Sequence, residues 1–330
     1  MLIGAGDEPG AYTALLACAP ALALAIDRVL GEPAARWHPV VWMGRYLAWT
    51  GARLAPRADG PRTASDLRVF VVGALAWCVA AAGVLALAGL LQAWVLAQPV
   101  WLAALALGLF LKPLLAWAML HDEVLAVERG LADSLDAGRA QLARLVSRDV
   151  TALSEHELRE SAIESLAENL NDSLVAPLFW FALLGLPGAA LFRFANTADA
   201  MWGYRGVRRL DGVARDWSWA GKWAARADDV LAWLPARITA ALIALLGGLQ
   251  GLARLPAEAA RTPSPNGGWP MAAMALALGV QLRKPGVYTL NPGARAPAPA
   301  DTLRACAIGS RCAMAATLLA CGVLLLTLVS

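Results

Sequence analysis

The chain has 330 residues, 59% hydrophobic and only 16% charged, with a mean hydropathy of +0.54. Soluble domains carry roughly a quarter charged residues, so this composition excludes an ordinary soluble globule and points to a membrane. The net charge is only +3, and no basic stripe or RNA-type aromatic motif occurs, which argues against a nucleic-acid binder.

Residues 1–10 carry Asp7 and Glu8 and no Lys or Arg. That is the wrong charge for the n-region of a signal peptide, so residues 11–30 read as a retained first helix. Residues 31–68 hold six Arg against three acids. From Val69 to Leu111 there is no Asp, Glu, Lys or Arg. As helix that run would extend about 65 Å, enough for two crossings of about 20 residues each. It divides at Gln98-Pro99 into segments 69–97 and 99–120. Residues 121–172 then hold twelve acids against five Arg. An apolar segment at 173–192 is interrupted by Pro177 and Pro187 and precedes a basic stretch, 193–226. Further apolar segments lie at 230–254 and 305–329, with a weaker one at 270–282 and a Pro/Ala linker at 292–301. The expected fold is an all-α polytopic membrane protein forming one domain over 1–330. It has four to six transmembrane helices, with helical segments in the cytoplasm and re-entrant helices.

The positive-inside rule places loop 31–68 in the cytoplasm, which puts 121–172 there too. If 173–192 and 230–254 both cross, basic loop 193–229 lies outside, against the rule. If neither fully crosses, it stays inside, and the prolines favour that arrangement. The 14 Trp suit a membrane interface. The five Cys lie in apolar segments without a CxxC pair, and the three His are scattered, so neither disulfides nor a zinc site are expected.

The stretch "ESAIESLAENLND" sets acids at Glu160, Glu164, Glu168 and Asp172, every fourth residue. On a helix these are neighbours that repel by a few tenths of a kcal/mol per pair. One reading is a solvated acidic face, partly neutralised by Arg159. The other is a divalent cation, because carboxylates plus phosphate oxygens suit Mg²⁺. The row runs straight into apolar sequence, where polar residues are less free to be incidental, and Asn169 and Asn171 add amides. In "FRFANTADAMWGYR", Asn196 and Asp199 share a helical face between Arg193 and Arg205. Arg forks suit phosphates and carboxylates, whereas Asn or Asp alone also reads as a cap. Asp228 and Asp229 read as residues of a helix start, favoured by the dipole. Arg237 sits in an apolar helix, either as a functional cation or as a snorkelling one. "SPNGGWP" offers Asn266 and a Gly267-Gly268 turn that would let backbone N–H groups approach an anion. His38 and Arg45 flank "HPVVWMGR", where His38 is a base, a phosphate donor or a turn residue. No Ser-His-Asp, Cys-His or GxSxG pattern occurs.

Taken together, "LGEP…HPVVWMGR", "ESAIESLAENLNDSLVAPLFW", "NTADAMWGYR", "RADDVLAWLPARITA" and "SPNGGWPMAAMALALGVQL" resemble the adenosylcobinamide-phosphate synthase family (CbiB/CobD) of cobalamin biosynthesis, collinearly from about residue 27 to 290. The resemblance implies a polytopic protein of the bacterial inner membrane with its active site facing the cytoplasm. The reaction it implies is ATP- and Mg²⁺-dependent amide formation between adenosylcobyric acid and (R)-1-amino-2-propanol O-phosphate or a related amino alcohol. It leaves room for a complex with other late enzymes of that pathway. On it, Glu164, Glu168 and Asp172 are assigned to metal and ATP, with Asn169. Arg193, Arg205 and Arg237 are assigned to phosphates, and Asn266, His38 and Arg45 to the substrate and ATP side. Asp199 with Asn196 is assigned either to a second metal or to the amine as a base, and Glu164 and Glu168 count with Asp199 as catalytic. Trp202, Trp217 and Trp219 are assigned to the corrinoid, and Glu160 to solvated surface. Where the family reads ENTSDG this chain has "ENLNDS", and where it reads GALGVRLGG this chain has "LALGVQLRK", with Gln281 and Lys284. Two other classes fit a polar site at a membrane: a transporter of a corrinoid or phosphorylated small molecule, and a non-catalytic AmpE-like regulator. No inverted repeat is visible for the first, and the retained acids and Arg speak against the second.

Overall fold

The computed structural model describes residues 9–60, 65–210, 212–248 and 252–329. The acids Asp7 and Glu8, Arg62 of the basic loop, and residues 249–251 of segment 230–254 lie outside the described residues. The chain is an all-α multi-pass membrane protein. In order come α1 (Pro9–Ala17), α2 (Ala19–Leu30), α3 (Pro39–Leu54), α4 (Asp66–Leu96), α5 (Val100–Leu111), α6 (Trp117–Asp133), α7 (Leu135–Leu142), α8 (Glu155–Leu170) and α9 (Ala176–Trp202). A hairpin follows, β1 (Val207–Leu210) and β2 (Val213–Asp216), antiparallel with Val207 opposite Asp216. Then come α10 (Lys222–Leu246), α11 (Leu255–Ala259) and α12 (Gly268–Leu278), a second hairpin of β3 (Leu282–Lys284) and β4 (Tyr288–Leu290), and α13 (Pro299–Val329). Five helical runs among the described residues are long and apolar enough to cross a membrane: Asp66–Leu96, Val100–Asp133, Glu155–Trp202, Lys222–Leu246 and Pro299–Thr327.

The charge-free run divides at Gln98-Pro99, between α4 and α5. The 99–120 segment is not one helix. Pro113 lies in a 3₁₀ turn, Lys112–Leu114, and α6 starts only at Trp117, because a proline ring cannot continue the hydrogen-bond ladder. Lys112 is buried at that turn. Its Nζ lies 3.2 Å from Asp27 Oδ1 and 3.0 Å from Glu32 Oε1. Asp27 Oδ2 also accepts the Ala118 N–H at 2.7 Å. The network ties α2, the turn after α5, and α6 at one level.

The run Glu155–Trp202 does not cross as a single rod. Along an unbroken helix Asp172 and Arg193 would stand about 31 Å apart. Instead Arg193 Nη1 donates to the Asp172 carbonyl at 2.9 Å, and Asn196 Nδ2 donates to the Asp172 carboxylate at 3.2 Å. The chain therefore reverses between them, at Gly185, with φ +68° and ψ −154°. That backbone region belongs essentially to glycine. Gly188 packs so closely on the inbound arm that a Cβ there would sit 2.3 Å from the Trp180 carbonyl oxygen. The break frees the Leu186 N–H, and Gln92 Oε1 accepts it at 2.7 Å. In hydrocarbon such a group needs a protein partner, which accounts for a glutamine inside the charge-free run. The apolar segment 173–192 is thus a re-entrant helical hairpin, and α8 stands outside it. Loop 203–221 returns to the side occupied by α6 to α8.

The larger core joins α2, α5, α6, α8, α9, α12 and α13. A second core around Trp77, Trp202 and Trp217 joins α3, α4 and the end of α9.

Candidate active site

Helix α8 begins with a full capping box: Ser154 accepts from the Glu157 N–H, and the Glu157 carboxylate accepts from the Ser154 N–H at 2.8 Å. It ends in a π-turn, Asn171–Val175, a widened geometry that recurs at functional sites. The widening presents groups sideways. Ala116 N donates to the Ser173 carbonyl at 3.0 Å, and Thr239 Oγ1 donates to Asn171 Oδ1 at 3.0 Å.

The acidic row is not a solvated face. Glu160 is 0% exposed and pairs with Arg283 at 3.0 Å, which corrects its assignment to surface. Glu164 is 5% exposed and 3.7 Å from Arg148. Arg159 does not neutralise the row. It is buried and spent on Glu128 at 2.7 Å and Glu155 at 2.6 Å, clamping α8 to α6. The neutralising cations arrive from distant sequence, Arg148 from the loop after α7 and Arg283 and Lys284 from β3, which is why spacing alone did not reveal them.

Glu164, Glu168, Asn169, Ser161 and Ser165 line a cleft of about 210 Å³, closed on the far side by Arg148, Lys284 and Tyr288. Arg148 also donates to Ser161 Oγ. Burial pushes the Glu164 carboxyl up to about 7, partly offset by a hydrogen bond with Tyr288 and by Arg148. Burial, then the charges of Asp172 and Glu164, push Glu168 up to about 7 as well. The Tyr288 hydroxyl is raised by burial and by these two acids. Asn169 Nδ2 is turned back onto the Ser165 carbonyl at 2.9 Å. Gly267 abuts Glu168, where a Cβ would lie 2.8 Å from Oε1.

A second polar group adjoins the first through Glu168, which feels the charges of Asp172 and Asp199. Asp172 is held by Asn171 Nδ2 at 2.8 Å and Asn196 Nδ2 at 3.2 Å. Asn196 also bonds Asp228, and the charges of Asp172 and Asp199 act on Asp228. Asp228 and Asp229 are not at a helix start: α10 begins at Lys222, so Asp228 faces the acids instead, with its Oδ1 buried and, among the described residues, unpartnered. Arg205 is exposed and acts on Asp229.

Other candidates fall elsewhere or are already engaged. Arg237 Nη1 donates to the Trp233 carbonyl at 2.7 Å and Asn266 Oδ1 at 2.8 Å, and Nη2 donates to the Pro265 carbonyl at 3.1 Å. It ties α10 to the loop before α12. Asn266 Nδ2 donates in turn to the Asp229 carbonyl at 2.8 Å, and the N–H groups of Asn266 and Gly267 both go to Ser264 Oγ. His38 Nε2 is 3.0 Å from Glu32 Oε2, extending the Asp27–Lys112–Glu32 network; the Glu32 charge also reaches Arg193. Arg45 is exposed on α3. Trp202 and Trp217 are buried and stacked on each other, centroids 6.4 Å apart, so they offer no docking surface for a corrinoid. Trp219 is covered by Lys222, whose Nζ sits 3.8 Å from its ring centroid.

Among the described residues no three His, Cys, Asp or Glu converge on one metal position. Two carboxylates at successive turns remain, Glu164 and Glu168. Among the described residues the Glu164 Oε1 is buried without a hydrogen-bond partner. Mg²⁺ is held by one or two carboxylates plus substrate phosphates rather than by an all-protein cage, so this hard-oxygen pair fits that ion together with a phosphate.

The chain matches a family model described as CobD/Cbib protein over residues 20–314. It is 41% identical over 276 residues to the "Probable cobalamin biosynthesis protein CobD" of Methanothermobacter thermautotrophicus, covering 82% of this chain and 85% of that protein. It is 37% identical over 312 residues to the "Cobalamin biosynthesis protein CobD" of Rhodobacter capsulatus, covering 90% and 94%. The Brucella suis protein of that name is 36% identical over 281 residues, covering 81% of each. No solved structure matches.

Proposed function

Since the chain belongs to the CobD/Cbib family of cobalamin biosynthesis proteins, we propose that it is an adenosylcobinamide-phosphate synthase. It joins the free carboxylate of adenosylcobyric acid to the amine of (R)-1-amino-2-propanol O-phosphate, or a related amino alcohol, at the expense of ATP. The observation that carries this reading is a pair of carboxylates, buried Glu164 and half-buried Glu168, facing Arg148 and Lys284 across one cleft. Carboxylates opposite cations suit a metal-bound triphosphate.

In this reaction the corrinoid carboxylate oxygen attacks the γ-phosphorus of ATP, and ADP leaves. The amine nitrogen then attacks the acyl carbon, and inorganic phosphate leaves with the acyl oxygen. The nitrogen gives up its proton to a nearby base. Such chemistry is mostly positioning and charge stabilisation. Glu164 and Glu168 would hold Mg²⁺, which neutralises phosphate charge when bound. Arg148 and Lys284 bind phosphate oxygens. Asp199 accepts the amine proton. Arg205, exposed beside Asp229, receives the phosphate of the amino alcohol. Asp172, with both oxygens engaged by Asn171 and Asn196, and Arg193, engaged by the Asp172 carbonyl, keep the π-turn and the returning arm in register. Arg237 and Asn266 set the loop that carries Gly267 against Glu168. The site faces the cytoplasm, where ATP is found, and the protein lies in the bacterial inner membrane.

The test is purified protein in lipid nanodiscs with adenosylcobyric acid, ATP, Mg²⁺ and aminopropanol phosphate, with the product read by mass. Glu168→Gln is expected to lose at least about 100-fold in kcat, the scale of one lost electrostatic contact at a reacting centre. Arg205→Ala is expected to raise KM for the amino alcohol phosphate. Near-normal turnover in both variants removes the proposed site. Corrinoid uptake into vesicles without ATP-dependent product removes the enzyme reading.

A further inference from the structure

A second feature lies along the returning arm of α9. A groove of about 540 Å³ runs between α3, α4, the α5 turn and that arm. Among the described residues no charged side chain lines it. Its walls include Trp42 of α3, Gly83 and Leu87 of α4, and Leu186 and Phe194 of α9, with Trp37 at its mouth. The α4 wall extends from Ala80 to Leu91, about 16 Å at ~1.5 Å per residue. That is the depth of one leaflet, half of the ~30 Å hydrocarbon core. The inner end, at Leu186 and Leu91, adjoins Gln92 and the apex of the re-entrant hairpin.

The mouth is built differently. Trp37 is 66% exposed and Trp42 48%, the placement of indoles at a headgroup boundary. The Arg36 guanidinium lies over the Trp37 ring, 5.8 Å from its centroid. The Trp42 Nε1–H donates to the Arg36 carbonyl at 2.9 Å. Arg36 thereby touches both indoles that frame the apolar slot, Trp37 through its guanidinium and Trp42 through its backbone carbonyl. The groove is about one leaflet deep and carries a positive charge beside the indoles of its mouth.

We propose that this groove holds one acyl chain of an anionic phospholipid, with its phosphate at Arg36. The lipid packs along the arm that also carries Arg193 and Asn196. It therefore braces that arm in the position that brings these residues to Asp172.

Gly83 gives a clean test, because a Cβ added there meets nothing within 4 Å. Gly83→Phe and the smaller Gly83→Leu put side chains of two sizes into the slot from a position whose Cβ has open space. The wild type, purified in a mild detergent, is expected to retain one phospholipid in native mass spectrometry. Adding phosphatidylglycerol vesicles to delipidated wild type is expected to raise its melting temperature, and both Gly83 variants are expected to lose both effects. Arg36→Gln is expected to keep the lipid but lose about a fivefold preference for phosphatidylglycerol over phosphatidylcholine, the share of one basic residue near an anionic surface (about 1 kcal/mol). A wild type that retains no lipid and does not respond to phosphatidylglycerol overturns the proposal. So do Gly83 variants that retain lipid as well as the wild type does. A concentration-dependent dimer that Gly83→Phe abolishes assigns the groove to a second copy and overturns it too.

Discussion

At the scale of single residues, Glu164 and Glu168 decide how the site responds to pH. Both are raised from the ordinary carboxylate value to about 7. A carboxyl whose folded pKa is raised disfavours the folded state increasingly as pH climbs from about 4.5 to 7, and by a constant amount above that. Glu168→Gln is therefore expected to raise the stability of the ligand-free protein at pH 8 by about 1–3 kcal/mol, with little change at pH 4. Thermal unfolding at the two pH values measures this. Mg²⁺ affinity is expected to rise with pH from 6 to 8, because the cation competes with protons for these carboxylates. Isothermal titration with Mg²⁺ and a nonhydrolysable ATP analogue checks the slope. Gln92 acts at a greater distance. Gln92→Leu removes the acceptor for the Leu186 N–H and leaves that donor in an apolar setting, at a cost of about 1–3 kcal/mol. Denaturant unfolding in detergent reads the loss. Glu164, Glu168 and the Gly267 turn are visible in the sequence as a periodicity and a glycine pair. Arg148, Tyr288 and Asp228 are not, because what marks them is proximity across more than 10 residues of intervening chain.

At the scale of elements, the network around Lys112 deserves the same treatment. Asp27 and Lys112 are 0% and 4% exposed at the side chain, and they join α2 to the end of α5. Lys112→Met is expected to cost about 3–5 kcal/mol, since it strands the Asp27 and Glu32 carboxylates in a buried position. An Asp27→Asn/Lys112→Met double variant is expected to recover part of that loss. A double-mutant cycle measures the recovery. The local signals that set α8 were readable in the sequence: a Ser154–Glu157 box and a run of good helix formers. The end of α9 and the start of α10 were less so. Asp228 and Asp229 carry the composition of a helix start, but the helix begins at Lys222, because Ala224 and Ala232 pack into the cores and extend it. Tertiary burial overrode local preference there.

At the scale of the whole molecule, the reversal at Gly185 fixes which polar segments meet. It brings 193–221 to the side of α6 to α8, so a single cysteine at Val207, which is 63% exposed, is expected to label from the same face as one at Asp136, which is 89% exposed. One at Gln98 is expected to label from the opposite face. The background for this measurement replaces the exposed Cys18 and Cys78. A maleimide that reaches Val207 and Gln98 from one side removes the re-entrant reading. The sequence by itself determined that the chain lives in a membrane, where its long apolar helices fall, that the family's acid and Arg motifs are present, and that Pro177 and Pro187 interrupt a segment. These follow from composition and local periodicity, which each residue carries with it. Only the tertiary structure decided that this segment folds back at Gly185 rather than crossing, that Gln92 caps the fold, that Arg159 clamps α8 while Arg148 and Arg283 answer the acids, and that Trp202 and Trp217 are core. The reason is physical: a buried charge or a freed N–H takes the partner that packing brings within about 3 Å, and packing is a property of the folded chain, not of any one stretch.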